Sequence, residues 1–193
     1  MAGKKSICVS RSFNGMVADP KVLKTHVANY AARAAEKLRK QRSVASVLGV
    51  FIATNSFRED LEQHSAFTEH RFLSSTDSTL ELVKAAESCV EEIFRPGCQY
   101  KRAGVILMSI ENADGIQTNF IDFDAERFQR MKRLDQVVDR INRVNGRETV
   151  ILGIQQYPGK AASGKAPAFE DVVKRDFKSP CYPTRWSEII ELS

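Results

Sequence analysis

This sequence predicts an α+β fold, a four-stranded sheet with the element order β-α-β-β-α-β and two helices on one face. It assigns that unit to residues 1–112 and a smaller mixed helix/strand extension to 113–193. Three observations carry the prediction. Ile7 and Val9 alternate with Ser6, Cys8 and Ser10, the period of a strand with one apolar and one polar side. Leu23, Val27, Tyr30, Ala31, Ala34 and Leu38 recur at helical spacing, as do Leu80, Val83, Ala86, Val90, Ile93 and Phe94. Dense apolar runs, Val44 to Ile52 and Ala103 to Met108, read as further strands.

The first strand covers Lys5 to Phe13, with Lys4, Lys5 and Arg11 at its ends. Asp19-Pro20 opens the first helix, Asp19 as N-cap and Pro20 at the first helical position. That helix stops near Gln41, because Ser43 to Thr54 reads as the second strand. Residues 55–68 are polar and irregular, a long turn, and Glu69 to Ser74 is a short third strand. Ser78-Thr79-Leu80-Glu81 has the form of a capping box and begins the second helix, which Arg95-Pro96-Gly97 ends. Tyr100 to Ile110 is the fourth strand, a ferredoxin-like order overall. Beyond the Asn112 to Gly115 turn, Phe128, Met131, Leu134, Val138, Ile141 and Val144 mark a third amphipathic helix. Asp122 or Asp124 caps it and Asn145-Gly146 closes it. Thr149 to Ile154 reads as a strand, and Tyr157 to Pro167 as a Gly/Pro/Ala/Lys-rich loop.

Bulk composition narrows the function. No apolar run approaches the ~20 residues that cross a bilayer, and the first residues do not form a signal peptide, so a cytoplasmic protein without a membrane partner is expected. Cys8, Cys89, Cys98 and Cys181 are scattered without a CxxC pair, which fits reduced thiols. His26, His64 and His70 offer no metal-ligand spacing. The net charge of +5 is uneven: residues 1–57 hold ten Lys/Arg against two acids, and residues 58–98 four against nine. Such a basic block reads as a polyanion footprint, or as the solvated face of one helix. No nucleophile triad, P-loop or dinucleotide fingerprint is present. Asp122-Phe123-Asp124 resembles a metal-binding pair of acids, yet it precedes an amphipathic helix and reads as a helix start. No catalytic residue and no metal site is expected.

Lys5 to Phe13, Tyr30 to Arg39 and Lys101-Arg102-Ala103-Gly104-Val105 resemble the little-finger domain of Y-family translesion DNA polymerases. The likeness is strongest to the UmuC type, the catalytic subunit of bacterial DNA polymerase V. Leu134 to Asn145, and Ser179-Pro180-Cys181-Tyr182-Pro183-Thr184-Arg185-Trp186, resemble that type's C-terminal extension. The resemblance implies a non-catalytic fragment that binds duplex or primer–template DNA during DNA repair and SOS-type mutagenesis. It needs no cofactor itself, the catalytic Mg²⁺ belonging to the parent polymerase. DNA-binding residues carried over are Lys5, Ser10, Arg11 and Ser12 on the first strand, His70 and Arg71 on the third, and Lys101 and Arg102 on the fourth. A sliding-clamp peptide is implied at Gln117-Thr118-Asn119-Phe120-Ile121, with Gln117 and Asn119 matching the family pattern. Phe120 and Ile121 either enter a clamp pocket or pack on the domain's own surface. The extension is expected to meet the clamp, a UmuD-type partner subunit or the recombinase filament. Two other readings of the residues stand beside this one. An RNA-binding module is disfavoured by the lack of stacking aromatics on the first and fourth strands, and a protein-interaction scaffold would need no nucleic acid.

Overall fold

The computed structural model describes residues 5–113, 125–146 and 148–156. Its elements run β1 (Ile7–Val17), α1 (Pro20–Lys40), β2 (Ser43–Thr54), β3 (Ser65–Thr76), α2 (Thr79–Ile93), β4 (Tyr100–Asn112) and α3 (Ala125–Val144), then a 3-10 turn at Gly153–Gln155. The strands form one antiparallel sheet in the order β1-β4-β2-β3. Each β-α-β unit is therefore split by a strand of the other, β4 lying between β1 and β2, and β2 between β4 and β3. A ferredoxin-like sheet keeps its first strand inside. Here β1 is an edge, so that comparison describes the element order and not the strand order.

α1 and α2 pack together on one side of the sheet. The stripe expected on α1, Leu23 to Leu38, is fully buried, and it meets Ile7, Val9, Phe13, Leu48, Val50, Ile52, Val105 and Leu107 from the strands. Asp19 caps α1 by accepting from the Lys21 N–H at 2.8 Å, with Pro20 behind it, as the sequence predicts. Arg42 takes a left-handed φ of 52°, turning the chain from α1 into β2 within two residues. Tyr100 is buried with its hydroxyl satisfied: it accepts from the Arg95 N–H at 2.9 Å and lies 3.0 Å from His64 Nδ1. Burial pushes its phenol above the usual range. Burial and the Glu92 charge push the Cys89 thiol up to about 11, so this cysteine is a core residue and not a nucleophile.

Four expectations are corrected. β3 begins at Ser65, not Glu69. As an edge strand it carries little apolar patterning, and its length is set by pairing with β2, Phe51 opposite Phe67. Ser78 occupies the N-cap of α2 but makes no side-chain cap bond, and its hydroxyl is buried without a partner. The Thr79 N–H donates instead to Asp135 Oδ2 of α3, at 3.3 Å. Residues 149–154 form no strand. The Asn142 side-chain amide donates to Val150 O and accepts from the Val150 N–H, and Gln155 exchanges hydrogen bonds with Asn29 of α1 at 3.0 and 3.1 Å. Finally, α3 buries its apolar stripe only in part: Met131, Val138 and Ile141 are half-buried and Leu134 and Val144 exposed, while Asp135 is buried.

What fixes α3 is Arg39. Its guanidinium grips Asp139 with two bonds of 2.7 Å and donates to Asp77 O at 2.7 Å and Thr79 Oγ1 at 2.9 Å; Asp135 stands 3.7 Å away. Burial disfavours this charge, but Asp139, Asp135 and Asp77 outweigh it and hold the Arg39 pKa above its ordinary value. The Asp77 carboxyl is pushed up, chiefly by burial, against the pull of Arg39. Arg39→Ala would strand two carboxylates and a carbonyl, a loss of roughly 3–5 kcal/mol by the measure of buried pairs losing one partner. A urea melt should show that loss, with Arg39→Lys falling between because the fork is gone and the charge kept. A melt of Arg39→Ala that overlays the parent would mean that α3 is held by something else.

Candidate nucleic-acid interface

The helices leave one side of the sheet open, and pairing decides what stands on it. Ser12 lies opposite Arg102, Ser10 opposite Gly104 and Cys8 opposite Ile106. On the other flank of β4, Phe51 lies opposite Gly104 and Val47 opposite Met108. Across β2, Phe67, Glu69 and Arg71 pair with Phe51, Gly49 and Val47. Directly paired residues share a side, so the open face carries Ser10, Ser12, Arg102, Phe51, Phe67, Glu69 and Arg71.

Of the residues expected to bind DNA, Ser10, Ser12, Arg71 and Arg102 thus come together, and Lys5 is exposed just before β1. His70 and Arg11 do not join them. His70 pairs with the fully buried Leu48 and stacks edge-on against Phe72 with ring centres 4.8 Å apart, on the helix side of edge strand β3. Arg11 pairs with the buried Ala103 and lies between Val9 and Phe13, again on the helix side. Neighbours along a strand point to opposite sides, so neither the His70-Arg71 pair nor the Ser10-Arg11-Ser12 run can face one ligand together. Lys101 sits where the β1 and β4 register shifts, and its ammonium donates to Phe13 O at 2.6 Å, tying the β1 bulge down. Gln117, Asn119, Phe120 and Ile121 lie outside the described residues.

The basic block of α1 is not part of this face. Arg39 is held as above, Arg33 meets Glu148 at 2.8 Å, Lys40 meets Glu36 at 2.6 Å, and Lys24 pairs with Glu91. Three of the cations that read as a polyanion footprint, Lys24, Arg33 and Arg39, therefore join α1 to α2 or to the extension. On the open face Arg71 is bonded to Glu69 at 2.8 Å. Arg102 has no carboxylate partner among the described residues. It reaches Ser10 Oγ at 3.4 Å, with its guanidinium carbon 5.5 Å from the centre of the Phe51 ring.

Phe51 and Phe67 are residues of this face that sequence reasoning missed. The signal was a glycine inside each central strand, Gly49 of β2 and Gly104 of β4, a side-chain-free position over which a ring can lie. A Cβ on Gly104 would come within 2.5 Å of the Phe51 ring and of Ser10 Cβ. One on Gly49 would come within 2.7 Å of the Phe67 ring. Both rings therefore lie down across the strands. Gly104→Ala meets a strand neighbour as well as a ring, and by analogy with overpacked cores should cost about 1–3 kcal/mol in a denaturant melt. Gly49→Ala meets the far ends of two side chains, a half-exposed ring and the Met108 methyl at 3.3 Å, and should cost clearly less. Equal losses would contradict this seating of the rings. No three His, Cys, Asp or Glu side chains gather to hold a metal among the described residues. No described helix is long and apolar enough to cross a membrane.

Comparison with known proteins follows the same outline. Protein UmuC of Salmonella typhimurium is 30% identical over 189 residues, covering 98% of this chain and 42% of that protein. Protein SamB of Salmonella typhimurium is 30% identical over 191 residues, covering 96% and 41%. The chain thus spans about two-fifths of the length of these relatives. Among solved structures, the insertion ternary complex of Dbh DNA polymerase aligns with a TM-score of 0.45 at 18% identity, over 55% of this chain and 29% of that one. The little finger domain of PolIV, in complex with the beta-clamp processivity factor, gives 0.42 at 13% identity, over 62% and 98%. Residues 132–192 match a domain of unknown function (DUF4113). Residues 4–120 match the impB/mucB/samB family C-terminal domain, and the chain belongs to that family.

Proposed function

We propose that this chain is the DNA-gripping, non-catalytic little finger and C-terminal extension of a UmuC-type Y-family polymerase. The parent would be an error-prone, cytoplasmic, Mg²⁺-dependent enzyme of translesion synthesis in the SOS response. The observation that carries the reading is Arg102, a cation on the sheet face away from α1 and α2, with no carboxylate partner among the described residues and with Ser10 and Ser12 on the adjacent strand. An unneutralised guanidinium flanked by hydroxyls suits phosphate oxygens, and such contacts hold a duplex without reading its sequence. Family membership supports it, since the resemblance implies the same strand as the DNA grip. The carboxylates for Mg²⁺ would belong to the parent's catalytic core. UmuD-type and recombinase contacts would fall to the extension.

Binding to duplex DNA should be weak, indifferent to sequence and steeply dependent on salt. Arg102→Ala should lower the slope of log K against log salt by roughly one unit. Arg71→Ala should lower it by less, because Glu69 already neutralises that charge, and His70→Ala should leave it unchanged. Unaltered affinity and slope in Arg102→Ala would remove the open face as the site of contact.

The clamp contact is a separate part of the proposal and rests on Gln117, Asn119, Phe120 and Ile121. Changing Phe120 and Ile121 together to Ala should abolish capture by the sliding clamp and leave the DNA salt slope untouched. Absence of capture by the parent chain at micromolar concentration would end this assignment.

A further inference from the structure

The open face carries more than phosphate donors. Phe67 lies across Gly49 and is 53% exposed, and Phe51, opposite it on β2, lies across Gly104 under Arg102. The two rings form an apolar ledge on an otherwise polar and charged face. Ser10 and Arg102 border it on one side, and Arg71 and Glu69 follow Phe67 along β3.

We infer that this ledge stacks an unpaired nucleobase, with Phe67 as the platform and Arg102 holding a phosphate of the same strand. The inference deepens the DNA-binding reading above and rests on it. Bases within a duplex already stack on one another, so their faces are not offered to a side chain; an unpaired base offers both. A half-exposed phenyl ring is a sequence-tolerant partner for such a base, because every base has a π face. The nearby charge identifies the occupant as nucleic acid. Arg102 has no ion pair among the described residues, and it stands two strands from Phe67, roughly 10 Å at the spacing of adjacent strands. An apolar segment of protein would leave that guanidinium covered and unanswered, whereas the backbone of a single strand answers it. The missing side chains at Gly49 and Gly104 give the ledge its form, since a Cβ at either would lift the ring above it.

The test compares three probes of equal length at fixed salt, on the full chain: a thymidine oligomer, an abasic deoxyribose-phosphate oligomer, and a duplex. Phe67→Ala and Phe67→Leu should each weaken binding of the thymidine oligomer roughly 5- to 150-fold, the span of one stacked base. Phe67→Trp should retain or tighten it, and its indole fluorescence should be quenched by thymidine and not by the abasic strand. Duplex and abasic affinities should be the same in all four proteins. Phe67→Leu keeps the apolar bulk over Gly49, so a loss seen there is a loss of the π face and not of folding. Wild-type affinity of Phe67→Leu for the thymidine oligomer, or equal affinity of the parent for thymidine and abasic strands, overturns the inference. If Arg102→Ala still weakens duplex binding in that case, the backbone grip stands alone. If neither form of DNA binds, both readings fall.

Discussion

Everything the open face offers depends on the antiparallel pairing of β2 with β4, which holds one register from Ser43 opposite Asn112 to Ala53 opposite Arg102. That register puts Leu48, Val50 and Ile52 against the helices together with Leu107, Val105 and Ala103. It leaves Val47, Gly49 and Phe51 on the far side with Met108, Ile106 and Gly104. A slip of one residue would drive Phe51 toward the helices and turn Val50 outward, so burial of the core holds the outer face in place. The two outer strands inherit the same parity. Ser10 and Arg102 meet because Val9 and Val105 are buried beside them, and Phe67 reaches Gly49 because β3 pairs on the β2 frame.

The second constraint is electrostatic and concerns what the chain does with its positive charge. Arg39 and Arg33 lie on α1, far from the open face in function, and their partners Asp139, Asp135 and Glu148 come from the extension, about a hundred residues later. The extension is thus attached by polar groups: a bidentate ion pair, an Asp135 carboxylate at the start of α2, and the reciprocal Asn29–Gln155 amides. An acid at a helix N-terminus is favourable, and here it replaces the local serine that the capping pattern suggested. Attachment of this kind is specific in direction, since each fork and amide accepts one geometry. It also explains why Leu134 and Val144 remain exposed on α3.

Local patterns in the sequence made much of this legible. The α1 stripe, its Asp19-Pro20 start, the β2 bounds and the order of six elements all follow from period and capping chemistry. The features that did not follow are those decided by distant partners. Strand order depends on which hairpins dock together, and the start of β3, Ser65 to Thr68, is not legible as strand because an edge with one face uncovered needs little apolar residue. The side taken by His70 depends on pairing with Leu48, and the fate of Arg39 depends on acids that no local window contains. Of the candidate site, the residue types were legible and their parity was not. Ser10, Ser12 and Arg102 are gathered and Arg11 and His70 are turned away; Phe67 was hidden by the apparent turn at residues 55–68, and Phe51 was legible as a strand residue but not as part of this face.

A consequence follows for how such a surface is used. With Lys24, Arg33, Arg39 and Lys40 of α1 paired internally, the open face keeps an Arg102 that has no carboxylate partner among the described residues and a half-neutralised Arg71, with Lys101 engaged by β1 carbonyls. Each phosphate contact contributes about one counterion to the salt slope, so a face with so few cations would, in the proposed role, bind DNA weakly by itself. Weak binding suffices when the surface is joined by a linker to another unit on the same DNA, because the second contact is then intramolecular and its effective concentration reaches the millimolar range. A rigid sheet favours that arrangement: the Tyr100 hydroxyl ties the β2–β3 loop to the segment after α2, and Lys101 fixes the β1 bulge, so the contacts need little ordering when DNA arrives. On the proposed role, a grip of this strength would also let go, and a surface that had to follow DNA as it moved would need release as much as hold.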